Sequence, residues 1–306
     1  MTPKDVSGLL ASSGYMPDEG LATLVWMAMA LERPMLLEGE AGVGKTAVAR
    51  ALSVALERPL FRLQCHESLD LNQAVYEWNY SKQLLEIRLR EAEKGTGSNL
   101  RADLFSEAFL LKRPLMQAIT SDKPAVLLID EIDRADESFE AYLLEVLGEF
   151  QISVPELGTV KAMTQPIVVL TSNGTRDLSD ALRRRCLYHY VDYPSLPREI
   201  EIVKTMVPEA NDVLVQQAVS FVQKLRKQDL EKVPGIAETL DWVRVLCAMG
   251  QEVVPDDPEM IRSCLAALLK TRSDQWQMGS EIIAKLQSES RVGIDVGVAG
   301  DLRQRA

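Results

Sequence analysis

The segment Gly39-Glu40-Ala41-Gly42-Val43-Gly44-Lys45-Thr46-Ala47 decides the fold prediction for this chain. Up to Thr46 it fits the pattern G-x-x-x-x-G-K-[ST], in which glycines let backbone N–H groups turn toward phosphate oxygens. Lys45 supplies a positive charge to the outer phosphates, and the Thr46 hydroxyl can bind Mg²⁺. A short apolar run over 34–38 precedes the motif, and a helical pattern over 45–56 follows it. This strand–loop–helix context predicts that the segment binds ATP together with Mg²⁺.

Two carboxylates follow an unbroken apolar run, which is typical of a strand buried on both faces. The run is Ala125-Val126-Leu127-Leu128-Ile129, and Asp130 and Glu131 come next. Ligands of open α/β sheets sit at the carboxyl ends of the strands, so Asp130 is placed to hold Mg²⁺. Glu131 points to the other side and can polarise an attacking water. The alternative is a solvated charge cluster, because further acids follow by residue 137.

A third buried run, Ile167 to Thr171, ends close to Asn173. An isolated Asn at a strand end is usually a turn former. Here it follows another strand that is expected to end at the same edge of the sheet. We therefore predict that the Asn173 amide hydrogen-bonds the attacking water or the γ-phosphate.

Three arginines, Arg183-Arg184-Arg185, end a short predicted helix. One interpretation is a helix C-terminus that favours positive charge. The other is an arginine finger that neutralises transition-state charge on a neighbouring subunit's nucleotide. The residues alone leave both interpretations open.

Alternating strand-like and helical segments predict an α/β fold, with a parallel sheet between helices. The predicted strands lie at 34–38, 60–65, 125–129, 167–171 and 187–191. We also predict a loop over 95–99, a helix over 106–120 and a hairpin over 150–165. Strand signals stop after residue 197. The expected domains are therefore 1–194 for nucleotide binding, 195–287 as an all-helical lid, and 288–306 as a flexible tail.

The chain has 306 residues, 46% of them hydrophobic, and a formal net charge of −11. This composition suffices for a packed core, and the negative charge disfavours nucleic acid and anionic membrane faces as partners. The longest apolar stretch, residues 21–31, is about half of what spans a bilayer. The first eight residues lack the features of a signal peptide. We therefore expect a cytoplasmic protein without membrane insertion.

The four cysteines form no C-x-x-C pair, which argues against a disulfide framework or a zinc ribbon. Cys65 and His66 are adjacent and could contribute to a soft-metal site. No third ligand stands at metal-site spacing, so a plain strand end is the simpler interpretation.

The phosphate loop, the Asp130-Glu131 strand end, Asn173 and the arginines stand in an order that resembles the AAA+ superfamily. Other stretches resemble the MoxR family more narrowly: Arg62-Leu63-Gln64, the inserted segment 67–94, Leu127 to Ala135 and the hairpin. Within that family, Val75 to Tyr80, Pro234 to Trp242 and Ala267 to Lys270 resemble the CoxD-type branch.

The resemblance implies a five-stranded sheet domain, a helical lid and a hexameric ring of identical chains. It implies that Arg185 is the finger, with Arg184 as the reserve. The branch implies a partner with a von Willebrand A-type domain and a molybdenum hydroxylase, such as carbon monoxide dehydrogenase, as client. One feature departs from the family. Related proteins carry a γ-phosphate-sensing lid arginine after a Gly-x-x-Pro turn, whereas the stretch Gly235 to Thr239 has none, and Arg244 lies more than one helical turn on.

The leading interpretation is an ATPase that remodels a protein client. A nucleic-acid motor on the same core would need a basic channel, and a nucleotide-dependent scaffold would not need the full set of catalytic residue types. The insert carries Tyr76, Trp78 and Tyr80 at two-residue spacing, which puts three aromatics on one side of an extended chain. These aromatics either grip a protein partner or pack as local core.

Overall fold

The computed structural model describes residues 1–92, 104–155 and 157–301. The loop predicted over 95–99 lies outside these ranges. The chain divides into two compact units. The first is formed by residues 1–39 and 45–191, and the second by residues 40–44 and 192–306.

The described helices of the first unit are α1 (Pro3–Ser12), α2 (Glu19–Leu31), α3 (Lys45–Ala55), α4 (Leu71–Ala74), α5 (Tyr80–Ala92), α6 (Pro114–Ile119), α7 (Glu137–Glu149) and α8 (Asp180–Arg185). Its described strands are β1 (Met35–Glu38), β2 (Leu60–Gln64), β3 (Tyr76–Trp78), β4 (Leu110–Lys112), β5 (Val126–Asp130), β6 (Gln151–Val154), β7 (Gly158–Lys161), β8 (Ile167–Ser172) and β9 (Leu187–Tyr190). Short 3₁₀ helices lie at Glu107–Phe109 and Ile132–Arg134.

Five strands form one parallel sheet in the order β2–β5–β8–β1–β9. All five residues of β5 are buried, because this strand has neighbours on both sides and lies within the core. β5, β8 and β1 are adjacent, so their carboxyl ends meet at one edge of the sheet. Asp130 is the last residue of β5, and the phosphate loop and Asn173 follow the ends of β1 and β8. The predicted α/β fold with a parallel five-stranded sheet is confirmed.

Two antiparallel strand pairs lie outside the main sheet. The pair β6–β7 agrees with the hairpin predicted over 150–165. The pair β3–β4 joins the inserted segment to residues 110–112 and is absent from the prediction. The helix predicted over 106–120 is wrong in its first half, where a 3₁₀ helix and β4 lie instead. Arg113 is extended (φ −95°, ψ 172°) because Pro114 disfavours a helical conformation in the residue before it.

The core of the first unit is formed by apolar side chains that lie on the inward faces of its helices and strands. Helix α3 buries Val48 and Leu52, which stand four residues apart and share one face of the helix. Helices α6 and α7 bury apolar residues in one cluster with β5 and β8, among them Met116 and Leu143. Full burial of a Leu side chain stabilises a fold by about 2 kcal/mol. These buried side chains therefore stabilise the sheet whose edge carries the predicted site.

The described part of the second unit contains α9 (Leu196–Met206), α10 (Asp212–Leu225), α11 (Ile236–Ala248), α12 (Pro258–Cys264), a 3₁₀ helix (Leu265–Ala267), α13 (Arg272–Gln277) and α14 (Ser280–Asp301). Its core includes Phe221 and Trp242, whose ring centroids are 5.1 Å apart.

Helix α14 continues to Asp301, within the segment 288–306 for which a flexible tail is predicted. Ile283 and Leu286 dock this helix onto the core of the second unit, and extending a docked helix needs no new nucleation. Among the described residues, no helix combines the length and the hydropathy needed to cross a membrane.

Candidate nucleotide site

Lys45 begins α3 and is almost completely buried, with 6% of its surface exposed. Its Nζ donates to the Gly39 carbonyl oxygen at 2.6 Å and to Asn173 Oδ1 at 2.9 Å. The structure therefore brings the predicted phosphate-binding lysine and the predicted sensor asparagine into direct contact. The first turn of α3 also offers backbone N–H groups to an anion.

The two oxygens predicted to hold Mg²⁺ also meet. Thr46 Oγ1 donates to Asp130 Oδ1 at 3.0 Å, and Thr171 Oγ1 donates to the same oxygen at 2.5 Å. A hydroxyl beside a carboxylate suits Mg²⁺, which binds one or two protein oxygens and completes its shell with water and phosphate. No group of three or more His, Cys, Asp or Glu side chains in the described chain could hold a metal by itself.

Arg62 and Gln64 belong to this site, although the sequence did not single them out as functional. The Arg62 guanidinium donates to Asp130 Oδ2 from Nε at 3.1 Å and from Nη2 at 2.6 Å. Its Nη2 also donates to Gln64 Oε1 at 2.5 Å. Gln64 pairs in register with Asp130 across β2 and β5. Residues 62 and 64 lie on one side of a strand end, and this period-two signal could have identified them.

Glu131, the predicted base, has a left-handed backbone (φ 55°, ψ 51°), which a non-glycine residue adopts at a cost of about 1 kcal/mol. Its N–H donates to Thr171 Oγ1 at 2.9 Å, so one hydroxyl contacts both Asp130 and Glu131. Its Oε2 accepts from Gln64 Nε2 at 2.9 Å and from Arg134 Nη1 at 3.3 Å. Strain of this kind occurs where function fixes a side chain.

Asp133 supports the loop that carries Asn173. Its Oδ2 accepts from the N–H groups of Asn173 at 3.2 Å and Thr175 at 3.0 Å, and from Thr175 Oγ1 at 2.6 Å. Burial alone would raise the pKa of Asp133, but the hydrogen bonds from Thr175 and Asn173 outweigh it and hold the pKa below its usual value. Asp133 therefore stays ionised and keeps all three donors.

The three arginines of α8 have different surroundings. Arg185 Nη1 donates to the Leu144 carbonyl oxygen of α7 at 2.7 Å. Arg184 is exposed, and its carbonyl accepts from Arg33 Nη2 at 2.6 Å. Arg183 pairs with Glu38 at 3.3 Å. The assignment of Arg185 as a finger, with Arg184 as the reserve, stays a prediction.

The middle of the phosphate loop, residues 40–44, groups with the second unit. Gly42 has a left-handed backbone (φ 79°), and its carbonyl accepts from Ile236 N at 3.0 Å. A Cβ on Gly235 would lie 2.7 Å from Gly42 Cα, so the turn before α11 requires glycine. Arg244, on α11, pairs with Asp241 at 3.4 Å and is half exposed.

The alternative of a soft-metal site at Cys65 and His66 finds no support. Burial, followed by the charges of Asp130, Asp133 and Glu131, raises the pKa of the Cys65 thiol to about 12. A thiol must lose its proton to bind a metal, so this raised pKa disfavours metal binding by Cys65.

The sequence matches known proteins over most of its length. Residues 34–186, half of the chain, match the family described as AAA domain (dynein-related subfamily). An uncharacterized protein of Staphylococcus saprophyticus is 23% identical over 281 residues, which cover 87% of this chain and 96% of that protein. The gas vesicle ATPase GvpN1 of Halobacterium salinarum is 25% identical over 262 residues, which cover 82% of this chain and 72% of that protein.

Among solved structures, a mutant of RuvB from Thermotoga maritima superimposes with a TM-score of 0.45 and 16% identity, over 87% of this chain and 70% of that one. The family match extends from the strand before the phosphate loop to the end of the arginine helix. It thus includes Lys45, Thr46, Asp130, Glu131, Asn173 and the three arginines of α8, and the resemblance to the AAA+ superfamily is confirmed. The chain belongs to the AAA domain family, in its dynein-related subfamily.

Proposed function

We propose that this chain is a MoxR-type AAA+ ATPase that binds ATP with Mg²⁺ and hydrolyses it. The observation that carries the proposal is the convergence of Lys45 with Asn173 and of Thr46 with Asp130, at 2.9 Å and 3.0 Å. These residues come from three separate segments that meet at one edge of the sheet. Family membership and the similarity to a gas vesicle ATPase support the same activity.

Each residue has a distinct role in this proposal. Lys45 binds the outer phosphates and holds Asn173, whose amide orients the water or the γ-phosphate. Thr46 and Asp130 would hold Mg²⁺, which when bound neutralises charge on the phosphate oxygens. Glu131 takes the proton of the attacking water. Gln64 and Arg134 hold the Glu131 carboxylate until it acts.

The test separates binding from hydrolysis. Lys45→Ala should weaken binding of a fluorescent ATP analogue, because the charge facing the phosphates is lost. Glu131→Gln should bind the analogue normally but release no phosphate, because an amide cannot accept the proton. Glu137→Gln, an exposed acid in the first turn of α7, is the control. Normal phosphate release by Glu131→Gln would refute the assignment of the base.

We further propose that the chain works in the cytoplasm as a hexameric ring, in which Arg185 completes the neighbour's site and Arg184 is the reserve. Activity per chain should then fall on dilution. Arg185→Ala chains mixed with Glu131→Gln chains should recover activity, because some interfaces pair an intact finger with an intact base. A rate per chain that is independent of concentration would count against the ring.

We propose a CoxD-like role on the resemblance of residues 75–80, 234–242 and 267–270. In that role the ring acts with a von Willebrand A-type partner to remodel a molybdenum hydroxylase during metal-site assembly. Co-purification with the partner and the metal content of the client are the measurements.

A nucleic-acid motor is less compatible with a net charge of −11, and stimulation of hydrolysis by DNA or RNA would favour that alternative. Binding of ATP without hydrolysis would favour the alternative that the chain is a nucleotide-dependent scaffold.

A further inference from the structure

Residues 173–179 form the linking segment between the nucleotide site and the arginine helix α8. At its first end, Asn173 contacts Lys45 through its side chain and Asp133 through its backbone. Asp133 is 3% exposed and also holds Thr175 through two hydrogen bonds. The position of Asn173 is therefore fixed by a buried carboxylate that lies just beyond β5.

A second buried carboxylate holds the other end of the linking segment. Glu140, on α7, is 1% exposed and forms an ion pair with Arg176. Its Oε2 accepts from the Ser179 N–H at 3.0 Å. Arg176 Nη2 also donates to the Ala135 carbonyl oxygen at 2.7 Å. The proposed hydrolysis mechanism uses neither Glu140 nor Arg176.

Ser179 is also the N-cap of α8, since its Oγ accepts from Leu182 N at 3.4 Å. Glu140 therefore holds the residue at which the arginine helix begins. One turn further along α7, the Leu144 carbonyl accepts from Arg185 at the other end of α8. Helix α7 thus contacts both ends of the helix that carries Arg184 and Arg185.

We propose that Glu140 is a positioning residue that sets where the arginines of α8 lie with respect to Asn173. Any other arrangement of the linking segment would separate Arg176 from Glu140 and leave the Glu140 carboxylate buried without a counter-charge, which is costly. The ion pair therefore holds the linking segment in a single geometry. Asn173 serves the chain's own nucleotide, whereas Arg185 serves the neighbour's. Glu140 therefore fixes the geometry between two successive sites of the ring, an inference that rests on the proposed function.

Glu140→Gln keeps the size of the side chain but removes its charge, and it tests this role by separating binding from turnover. Lys45 and Thr46 are untouched, so the Kd of a fluorescent ATP analogue should stay within about twofold of the wild-type value. The rate constant kcat should fall by about 10- to 100-fold, as expected when a catalytic group is displaced by about 1 Å. Glu145→Gln, an exposed acid on the same helix, should change neither quantity.

Co-expression of two differently tagged chains then shows which site Glu140 serves. If it acts through Arg185, Glu140→Gln chains should recover activity with Glu131→Gln chains, since about a quarter of random interfaces pair an intact base with a positioned finger. They should recover none with Arg185→Ala chains, because both defects lie on the finger side. Recovery with Arg185→Ala chains, or normal turnover by Glu140→Gln alone, would overturn the proposal.

If Glu140→Gln does not fold, Arg176→Gln removes the same ion pair from its more exposed side, where 34% of the arginine side chain is accessible. The same pattern of recovery is expected, and the same recovery with Arg185→Ala chains would overturn the inference. Normal nucleotide binding by Lys45→Ala would instead refute the proposed function, an outcome that does not depend on Glu140.

Discussion

The guanidinium of Arg62 donates two hydrogen bonds to a single oxygen of Asp130, from Nε at 3.1 Å and from Nη2 at 2.6 Å. The other oxygen of Asp130 accepts from Thr46 and Thr171. Asp130 is 4% exposed, so its charge depends on these donors rather than on bulk water. If Asp130 holds Mg²⁺ as proposed, Arg62 is a cation that would compete with Mg²⁺ for one oxygen of the carboxylate.

Arg62→Ala should therefore have two opposite effects. The free energy of unfolding without Mg²⁺ should fall by about 1–2 kcal/mol, because charge-assisted hydrogen bonds are lost at a half-exposed arginine. The Mg²⁺ concentration that half-saturates nucleotide binding should decrease, because a competing positive charge is gone. Urea denaturation and Mg²⁺ titration measure the two effects. Arg50→Ala, at an exposed position on α3, is the control, and equal Mg²⁺ midpoints for both variants would contradict this role.

Gly148→Ala should displace the Arg185 side chain without destabilising α7, the helix that contains residue 148. A Cβ at position 148 would lie 2.0 Å from Arg185 Nη1, the flexible end of that side chain. Alanine is favoured over glycine inside a helix by about 1 kcal/mol. We expect unchanged or increased thermal stability together with a reduced kcat, because the guanidinium must leave its place beside the Leu144 carbonyl.

The matched control for this variant is Gly8→Ala in α1, where a Cβ would meet nothing within 4 Å. It should gain the same helix propensity and keep the wild-type kcat. If Gly148→Ala also keeps the wild-type kcat, the position of Arg185 beside Leu144 is unimportant for hydrolysis.

The predictable part of the site is the part that local sequence patterns describe. Lys45, Asp130 and Asn173 each follow an apolar run, and parallel strands place their carboxyl ends at the same edge of a sheet. The pair formed by Arg62 and Asp130 depends on β2 lying beside β5, and no local pattern gives that order. The role of Glu140 was likewise not predictable, because an acid on an amphipathic helix is usually solvated, whereas Glu140 is buried in contact with Arg176 and Ser179.

Two arginines of the second unit, Arg226 and Arg244, should differ sharply in their effect on stability. Arg226 is 6% exposed and forms two hydrogen bonds of 2.6 and 2.7 Å with Glu199, which is completely buried. Its Nε also donates to the Pro234 carbonyl oxygen at 2.8 Å. Arg226→Ala should lower the free energy of unfolding of the second unit by about 3–5 kcal/mol, because it leaves a buried charge unpaired.

Arg244→Ala should change the free energy of unfolding by less than about 0.5 kcal/mol, since the pair with Asp241 is exposed on both sides. It should also leave ATP hydrolysis nearly unchanged if the lid no longer senses the γ-phosphate through an arginine. Urea denaturation and phosphate release on both variants check these expectations. A large loss of rate in Arg244→Ala would show that this residue has taken over the sensing role.

The stabilising effect of Asp133 should disappear in acid. Its pKa is lowered in the folded protein, so its contribution is complete above the unfolded-state pKa of about 3.9 and is lost as the pH falls through the folded-state value. Asp133→Asn should therefore be less stable than the wild type at pH 7, and the difference should shrink below about pH 4. Urea denaturation at pH 7 and pH 3 measures it. Asp122→Asn, at an exposed position, controls for the loss of one charge, and an equal difference at both pH values would contradict this prediction.

The aromatics of the inserted segment do not form the row on one side of an extended chain that their spacing predicts. Strand β3 ends at Trp78, and Asn79 caps the helix that starts with Tyr80, so the third ring leaves the strand. Trp78 is 6% exposed and packs edge-on against Phe105 at 5.2 Å and Tyr76 at 6.2 Å. For Trp78 the interpretation as local core is correct, whereas Tyr80 is 62% exposed.

Trp78→Ala and Tyr80→Ala should therefore separate folding from partner binding. Trp78→Ala should cost about 3–5 kcal/mol of stability, because a buried aromatic is truncated to a cavity. Tyr80→Ala should change stability by less than about 0.5 kcal/mol and spare basal ATP hydrolysis, since its ring is exposed. If the insert grips a partner, Tyr80→Ala should still reduce partner-stimulated hydrolysis and co-purification with the partner. Undiminished stimulation in Tyr80→Ala would remove Tyr80 from the proposed contact and leave the half-buried Tyr76 as the one aromatic of the three that could still make it.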